Sequence, residues 1–401
     1  MPEAVVLYHY FYPDDVISAR HMDDLCIGLT ACGWKITALP SNRGARNEMI
    51  CYPPHDVWRN IAIHRIWRPP LKQATLLGRF CNALWMTAAW CLSAFRYKTN
   101  VLIVGTDPIM SVLVSLFWKR VQPDIVIAHW IHDLYPEAAI ADDLLSEKSV
   151  AAKILKKAIG AAYRSCDIVI DIGMCMRRRL ESYNHVAVKA TLTPWALYEP
   201  ATMPAVNANV RKCLFGDARV GLMYSGNFGR AHSCREFLAL ARVLRGESIH
   251  FSFGVRGNAV KELIEAITPQ DTNVSLATFA PESELQQRLC APDIHLVSLK
   301  SGWTGAVVPS KFFGSLAVGR PVLFAGSGTS SIAEWIKTYD IGWVLDADST
   351  GSIAVQLKEL TLCPEKLTAM KQRCMKIYQE HFSRHTTIKR WNELLFTTIK
   401  K

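Results

Sequence analysis

Residues 191–230 read TLTPWALYEPATMPAVNANVRKCLFGDARVGLMYSGNFGR. In the first half, Pro194, Pro200 and Pro204 and the small residues running up to Phe215-Gly216-Asp217 break any regular hydrophobic period, as a connection between domains does. A β-rich run, RVGLMY (219–224), then resumes and ends on the glycine turn Ser225-Gly226-Asn227-Phe228-Gly229-Arg230. Working outward, short apolar runs alternate with helical stretches on both sides of the break. Before it, strands are expected at 4–8, 35–39, 61–66, 101–104, 124–128 and 167–171, with helices at 20–33, 75–97, 108–120, 146–165 and 174–183. After it, strands are expected at 219–224, 249–254, 273–277, 293–299, 321–324 and 342–345. The matching helices are at 233–245, 258–267, 282–290, 310–318, 329–338 and 351–360. A long helix over 364–400 is broken near 383. Near-continuous apolar strands separated by helices mean parallel sheets covered on both faces. The fold class is α/β, with two Rossmann-like domains at 1–197 and 218–380, a linker at 198–217 and a terminal helix at 381–401.

Length and composition agree. The 401 residues are half hydrophobic and one-fifth charged, which suits two globular domains of about 180–200 residues each. The formal charge is +11, which points to phosphate-bearing substrates or an anionic membrane. Zinc-finger spacing, RNA-binding signatures and basic heptads are all missing, so nucleic acid is not the expected partner. The twelve cysteines are scattered with no C-x-x-C pair and read as free thiols in a reducing compartment. The N-terminus has no basic n-region or cleavage site and reads as a first strand. Residues 80–95, FCNALWMTAAWCLSAF, are bounded by Arg79 and Arg96. They are short for a span, which needs about 20 residues. They read either as a core or domain-surface helix or as an interfacial helix with Trp85 and Trp90 at headgroup depth and the flanking arginines on phosphates.

Three segments carry chemistry. In the glycine turn, Gly226, Asn227 and Gly229 let amides approach an anion, the following helix N-terminus adds partial positive charge, and Arg230 adds a full one. In Val308-Pro309-Ser310-Lys311-Phe312-Phe313-Gly314, Ser310 is placed as an N-cap. Lys311 in the first turn opposes the helix dipole unless an anion lies between them. In His129-Trp130-Ile131-His132-Asp133-Leu134-Tyr135-Pro136-Glu137, His132 and Asp133 stand at the carboxyl end of a strand, where α/β sheets bind ligands. The dinucleotide fingerprint is absent after the first strand, where Tyr10-Phe11-Tyr12-Pro13-Asp14 stands instead, which argues against a plain NAD enzyme. Asp346-Ala347-Asp348 follows a late strand and reads as a turn, so no metal site is expected.

Taken in order, HDLYPEAA (132–139), YSGNFGRAHSCREFLALARVL (224–244) and VVPSKFFGSLAVGRPVLFAG (307–326) resemble glycosyltransferase family 4. GVRGN (254–258), NVSLATFAPESEL (273–285) and TPWAL (193–197) lie between them, and the likeness is to the branch that builds cell-surface polysaccharides. The resemblance implies a GT-B fold, two Rossmann-like domains facing across a cleft, with the acceptor on the first and the nucleotide-sugar on the second. It implies a retaining, metal-independent hexosyltransferase with no cofactor, a donor of UDP type, and a lipid-linked acceptor such as a polyprenyl-diphosphate oligosaccharide. Peripheral contact with the cytoplasmic face of the membrane follows from the same likeness. It assigns catalysis to His132, Asp133, Arg230 and Lys311, and donor binding to Gly226, Asn227, Gly229, Arg230, Gly254, Pro309, Ser310, Lys311 and Glu334. It also implies that the terminal helix packs back on the first domain.

The chain departs from the family where two glutamates eight positions apart usually stand, since Ala306 and Gly314 occupy those positions. Glu334 is the expected substitute, and Arg20 a candidate phosphate ligand in the altered N-terminal loop. Two other readings compete: a sugar-nucleotide epimerase of the same architecture, and a non-catalytic scaffold. Product analysis without acceptor separates the first from a transferase, and nucleotide binding without turnover would favour the second.

Overall fold

Ala4, Val5, Val6 and Leu7 are all buried in β1 (Glu3–Leu7), the signature of a central strand covered on both faces. β1 pairs in parallel with β2 (Lys35–Ala38) and β5 (Val101–Gly105). The sheet extends through β6 (Val126–Trp130), β7 (Ile168–Asp171) and β8 (Val188–Thr191) on one side, and through β4 (Ile61–His64) and β3 (His55–Trp58) on the other, in the order β3-β4-β2-β1-β5-β6-β7-β8. β3 is antiparallel to β4; neither β3 nor β8 is legible as a strand in the sequence. β3 and β4 are connected by a two-residue turn with Arg59 (φ 49°) and Asn60 (φ 64°) both left-handed, as a tight hairpin requires.

The computed structural model describes residues 1–184, 187–279 and 284–400, so the 280–283 part of the 273–285 stretch lies outside the described residues. These fall into two units, Met1–Leu197 with the residues from Arg384 onward, and Tyr198–Ser383. In the first unit, α1 (Ile17–Ala31) packs on α15 (Arg384–Ile399), while α2 (Leu76–Ser93), α3 (Val114–Val121) and α5 (Val150–Ser165) form a neighbouring row. α15 belongs to this unit's core. Trp391 is fully buried, Trp34 Nε1 donates to Asn392 Oδ1 (2.8 Å), and a Cβ at Gly28 would come within 2.5 Å of Ile388. The chain enters α15 after Ser383, following a π turn over Tyr378–Phe382.

α2 resolves the double reading of residues 80–95. Met86 and Trp90 are buried, and Trp90 Nε1 donates to Leu39 O (2.8 Å). Trp90 is therefore a core residue, not a headgroup anchor. The other face leaves Phe80, Leu84 and Leu92 exposed, and Phe95 just past the helix end is exposed too. Among the described residues, no helix is long and apolar enough to cross a membrane.

The second unit has a six-stranded parallel sheet, β11-β10-β9-β12-β13-β14, formed by β9 (Val220–Asn227), β10 (Ile249–Arg256), β11 (Val274–Leu276), β12 (Ile294–Leu299), β13 (Val322–Gly326) and β14 (Gly342–Leu345). Its core joins Leu222, Tyr224, Phe237, Phe251, Phe253 and Leu357. The stretch read as a linker is partly helical. α7 (Ala208–Phe215) is capped by Asn207, whose side chain accepts from Asn209 N and Val210 N, and it buries Leu214 and Phe215. Apolar burial of those two side chains outweighs the proline-rich composition upstream of them.

Candidate functional site

In the second unit the site grows from the end of β9. Gly226 (φ 118°) adopts a conformation that glycine tolerates best, and a Cβ there would come within 2.9 Å of Lys311 Cε. The missing side chain lets Lys311 lie along the turn. Its Nζ donates to Asn227 O (2.9 Å) and stands 5.2 Å from the Tyr224 ring centroid, within cation–π reach. No carboxylate pairs with it among the described residues. The ammonium keeps a path to solvent, but the protein packed around it withdraws most of its hydration and brings its pKa down to about 8. The lysine thus stays predominantly charged at neutral pH.

The turn is fastened to the next one. Phe228 N donates to Arg256 O (2.7 Å) and Ala259 N to Phe228 O (3.1 Å). A Cβ at Gly257 (φ 131°) would strike Phe228 O and Asn227 Oδ1. Gly229 lies in the same pair of loops, 3.5 Å from Asn258 Oδ1 by its virtual Cβ. His232 completes the group. Its Nδ1 bonds Ser298 O (2.8 Å), and burial, with Lys311 as the next cause, lowers its pKa to about 4. This neutral imidazole was missed in the sequence; its only signal is its place two residues after Arg230.

Several expectations need correction. β9 runs to Asn227, and α8 (Arg235–Val243) begins only after a seven-residue loop, so the glycine turn does not lead directly into a helix N-terminus. Ser310 does not cap α11 (Lys311–Ala317). Its backbone is already helical (φ −64°, ψ −20°), and its side chain makes no capping hydrogen bond. Gly254 is not in a binding loop. It is buried in β10 opposite Ser225, where a Cβ would meet Met223 Cε at 2.9 Å, so it is a packing glycine. Pro309 is buried, Arg230 is exposed, and Glu334 sits in the first turn of α12 (Ser331–Tyr339), partly exposed. Ala306 is buried, and Gly314 faces open space on α11.

Beyond the carboxyl ends of β12, β13 and β14 lies a cleft of about 740 Å³, lined among others by Ser233, Glu236, Glu262, Lys300 and Asp346. That volume suits a small organic ligand. Ser233 Oγ donates to Glu236 Oε2 (2.6 Å), leaving carboxylate lone pairs for a second donor. Among the described residues, no three His, Cys, Asp or Glu converge as a metal site.

In the first unit, His132 follows β6. Its backbone N donates to Thr106 Oγ1 (2.8 Å), which itself donates to Trp130 O (3.1 Å). The imidazole meets the Trp130 ring edge-on (4.2 Å, 74°) and lies 6.0 Å from His21. Its Nε2 is buried with no hydrogen-bond partner among the described residues. Burial, then the neighbouring His21 and His129, pushes its pKa down to about 3, so it is a neutral ring with one uncommitted polar atom. Asp133 reaches solvent yet has dense protein around it. Desolvation and Asp107 raise its carboxyl to about 6. Asp107 Oδ1 in turn meets His9 Nδ1 at 3.3 Å. Gly105 makes room for the Tyr8 ring, whose Cδ2 is 2.2 Å from a virtual Cβ.

Two parallel sheets, each with loops at its strand ends carrying these residues, define the architecture. The chain has the GT-B fold. Sucrose-phosphate synthase from Thermosynechococcus elongatus superposes over the full length of both chains with a TM-score of 0.73 at 13% identity. The Anabaena protein HepE, solved in complex with UDP, superposes at 0.69 and 11% identity over 99% of this chain and all of that one. By sequence, the chain is 23% identical over 304 residues, 75% of each protein, to the probable glycosyltransferase WbjE of Pseudomonas aeruginosa. It is 25% identical over 154 residues, 38% of each, to the putative colanic acid biosynthesis glycosyl transferase WcaI of Escherichia coli K12. No family model matches the chain. By sequence it is related to proteins named as glycosyltransferases, one of them of colanic acid biosynthesis, and its fold is that of the GT-B enzymes.

Proposed function

We propose that this chain is a retaining, metal-independent glycosyltransferase of family 4. It moves a hexose from a UDP-type nucleotide-sugar to a lipid-linked acceptor, a polyprenyl-diphosphate oligosaccharide, at the cytoplasmic face of a membrane. The observation that carries the donor side is Lys311, a desolvated cation laid along a glycine turn and held by a backbone carbonyl and the Tyr224 ring, with no carboxylate partner among the described residues. A charge in that setting is best satisfied by an anion. When the bond from the anomeric carbon to the diphosphate breaks, negative charge builds on the leaving phosphate, and a preplaced cation stabilises it most at that moment. Arg230 is assigned the second positive charge. The neighbouring cleft takes the nucleoside, with Glu236 or Glu262 accepting from ribose hydroxyls in place of the carboxylates missing at Ala306 and Gly314. His132 and Asp133 are assigned to the sugar-transfer step. A neutral His132 accepts or donates one hydrogen bond through Nε2 and carries no charge of its own.

HepE, which shares the fold, was solved with UDP, with UDP and glucose, and with UDP-glucose, which supports a UDP-type donor here. Membrane contact is supported by the outward face of α2, where Phe80, Leu84 and Leu92 are exposed, with Phe95 just beyond the helix before Arg96 and no acidic residue in the helix. Such a face suits the interface of an anionic bilayer. The test is a calorimetric titration of the protein with UDP, GDP and dTDP, repeated with Lys311→Ala and Arg230→Ala. One nucleotide should bind, and both variants should weaken it. Failure of every nucleotide to bind would sink the donor-site assignment. The scaffold reading is favoured by the side chains missing at Ala306 and Gly314, and nucleotide binding with no transfer to any acceptor would move it ahead.

A further inference from the structure

On the first unit, far along the chain from His132, a small cavity of about 270 Å³ opens between α5 and the turn at Ser182-Tyr183. It is lined by Lys156, Lys157, Gly160, Arg164, Ser182 and Tyr183. Three of its six walls are cations, and all three come from one helix. Lys156, Gly160 and Arg164 follow at i, i+4 and i+8, so they share a face, and Lys157 flanks them. α5 carries no Asp or Glu at all. Gly160 is the gap between the charges. A Cβ there would come 3.3 Å from Tyr183 Cδ1 and 3.7 Å from Arg164 Nη1. The guanidinium therefore lies beside the glycine at the cavity, on a residue that stays exposed.

The local acids engage Lys156 but not Lys157 or Arg164. Lys156 pairs with Glu147 (3.1 Å) and stands 3.9 Å from the buried Glu137. Glu137 is already engaged by the Tyr183 hydroxyl, which donates to its Oε1 (2.7 Å). Lys157 and Arg164 have no acidic partner among the described residues. The buried Asp171 is taken up by Arg177 of α6 (Met174–Leu180; 2.6 Å), so that carboxylate does not serve Lys157 or Arg164. Like charges on one helix face repel unless an anion lies among them. The cavity is also smaller than the usual range for an organic ligand, about 300–1,000 Å³, which fits a phosphate group rather than a whole nucleotide.

We infer that this pocket binds a phosphate or diphosphate group, through Lys157 and Arg164 with Lys156 in support. The group is either the headgroup of an anionic phospholipid or a free phosphate ester. The inference does not depend on the donor site or on sugar transfer. It is tested in a Lys311→Ala background, which silences the cation of the second unit. The full chain is titrated with inorganic pyrophosphate and with glycerol phosphate, and sedimented with phosphatidylglycerol vesicles and with phosphatidylcholine vesicles. Lys157→Gln with Arg164→Gln is compared with a charge-matched control, Lys148→Gln with Lys153→Gln, whose exposed lysines lie outside the lining. Loss of one or more charge-assisted contacts should weaken the ligand by about tenfold or more, and the control should bind like the parent. If the loss appears with the soluble phosphates, the ligand is a free phosphate; if only with phosphatidylglycerol vesicles, it is a lipid headgroup. Equal binding by both double variants in every arm, or no binding by the parent, overturns the inference.

Discussion

His132 and Lys311 are both basic side chains beyond the carboxyl ends of parallel strands, and both are stripped of hydration, yet the result differs. For His132, burial and two neighbouring imidazoles carry the pKa from 6.5 to about 3, which leaves a neutral ring at any physiological pH. For Lys311, a comparable withdrawal of water brings the pKa only from 10.5 to about 8, so the cation survives. Burial turns a histidine into a dipole and leaves a lysine as a charge, because their ordinary values lie on opposite sides of the working range. The first unit can therefore offer a directed hydrogen bond, and the second a charge to meet a phosphate.

This contrast can be broken by experiment. The largest effect is expected for Lys311→Ala. If the charge meets the leaving phosphate, kcat/KM should fall by about 10²–10³, read from initial rates of sugar transfer, and a fall of less than about threefold would remove Lys311 from the transition state. Trp391→Ala should have an effect of comparable size on a different property, costing about 3–5 kcal/mol of first-unit stability, read by chemical denaturation. Ending the chain near residue 384 should lower the melting temperature as well. Unchanged melting would mean that α15 contributes no core.

The pH dependence sharpens the comparison. The charged lysine binds the diphosphate, and its charged fraction falls as pH rises through about 8. UDP binding should therefore weaken by up to about tenfold per pH unit above that point, measured calorimetrically between pH 7 and 9.5. The His132 imidazole should add no limb to the same profile between pH 5 and 8, and an imidazole limb that disappears in His132→Gln would show that the ring titrates there after all. Gly257→Ala should cost about 1–3 kcal/mol, because it forces φ 131° on a residue with a side chain and drives a Cβ into Phe228 O. The smallest effect is expected for Gly314→Ala. The position is helical with nothing within 4 Å of a Cβ, so it should stabilise by about 0.5–1 kcal/mol, read from the shift in denaturation midpoint.

Much of the fold is legible in the chain because parallel strands buried on both faces leave continuous apolar runs. VLIV at 101–104 and IHLVSL at 294–299 are strands as read. What escaped reading lacks that signal. β3 (HDVW) and β8 (VKAT) are short edge strands with few apolar residues, and the Arg59-Asn60 turn between β3 and β4 carries no glycine. α7 was hidden because Leu214 and Phe215 are its only buried side chains. In the candidate site, Lys311 and the glycine turn were visible as motifs, whereas His232, Gly257 and the Glu236–Glu262 cleft lie in no pattern and meet only through folding.

By itself, the order of residues determined the class of the fold, the division near residue 197 and the break near 383, since hydrophobic period and proline content are local properties. It also placed His132 at a strand end and Lys311 in the first turn of a helix. Only the tertiary structure decided their charge states, because those depend on how much protein displaces water around each side chain. It alone decided that Trp90 lies inside while Leu84 lies outside, that Gly254 is enclosed within β10 against Met223, and that three cations of α5 line a cavity beside Tyr183. Each of these depends on which distant segments come to lie against a residue, and that information is not carried by its neighbours in the chain.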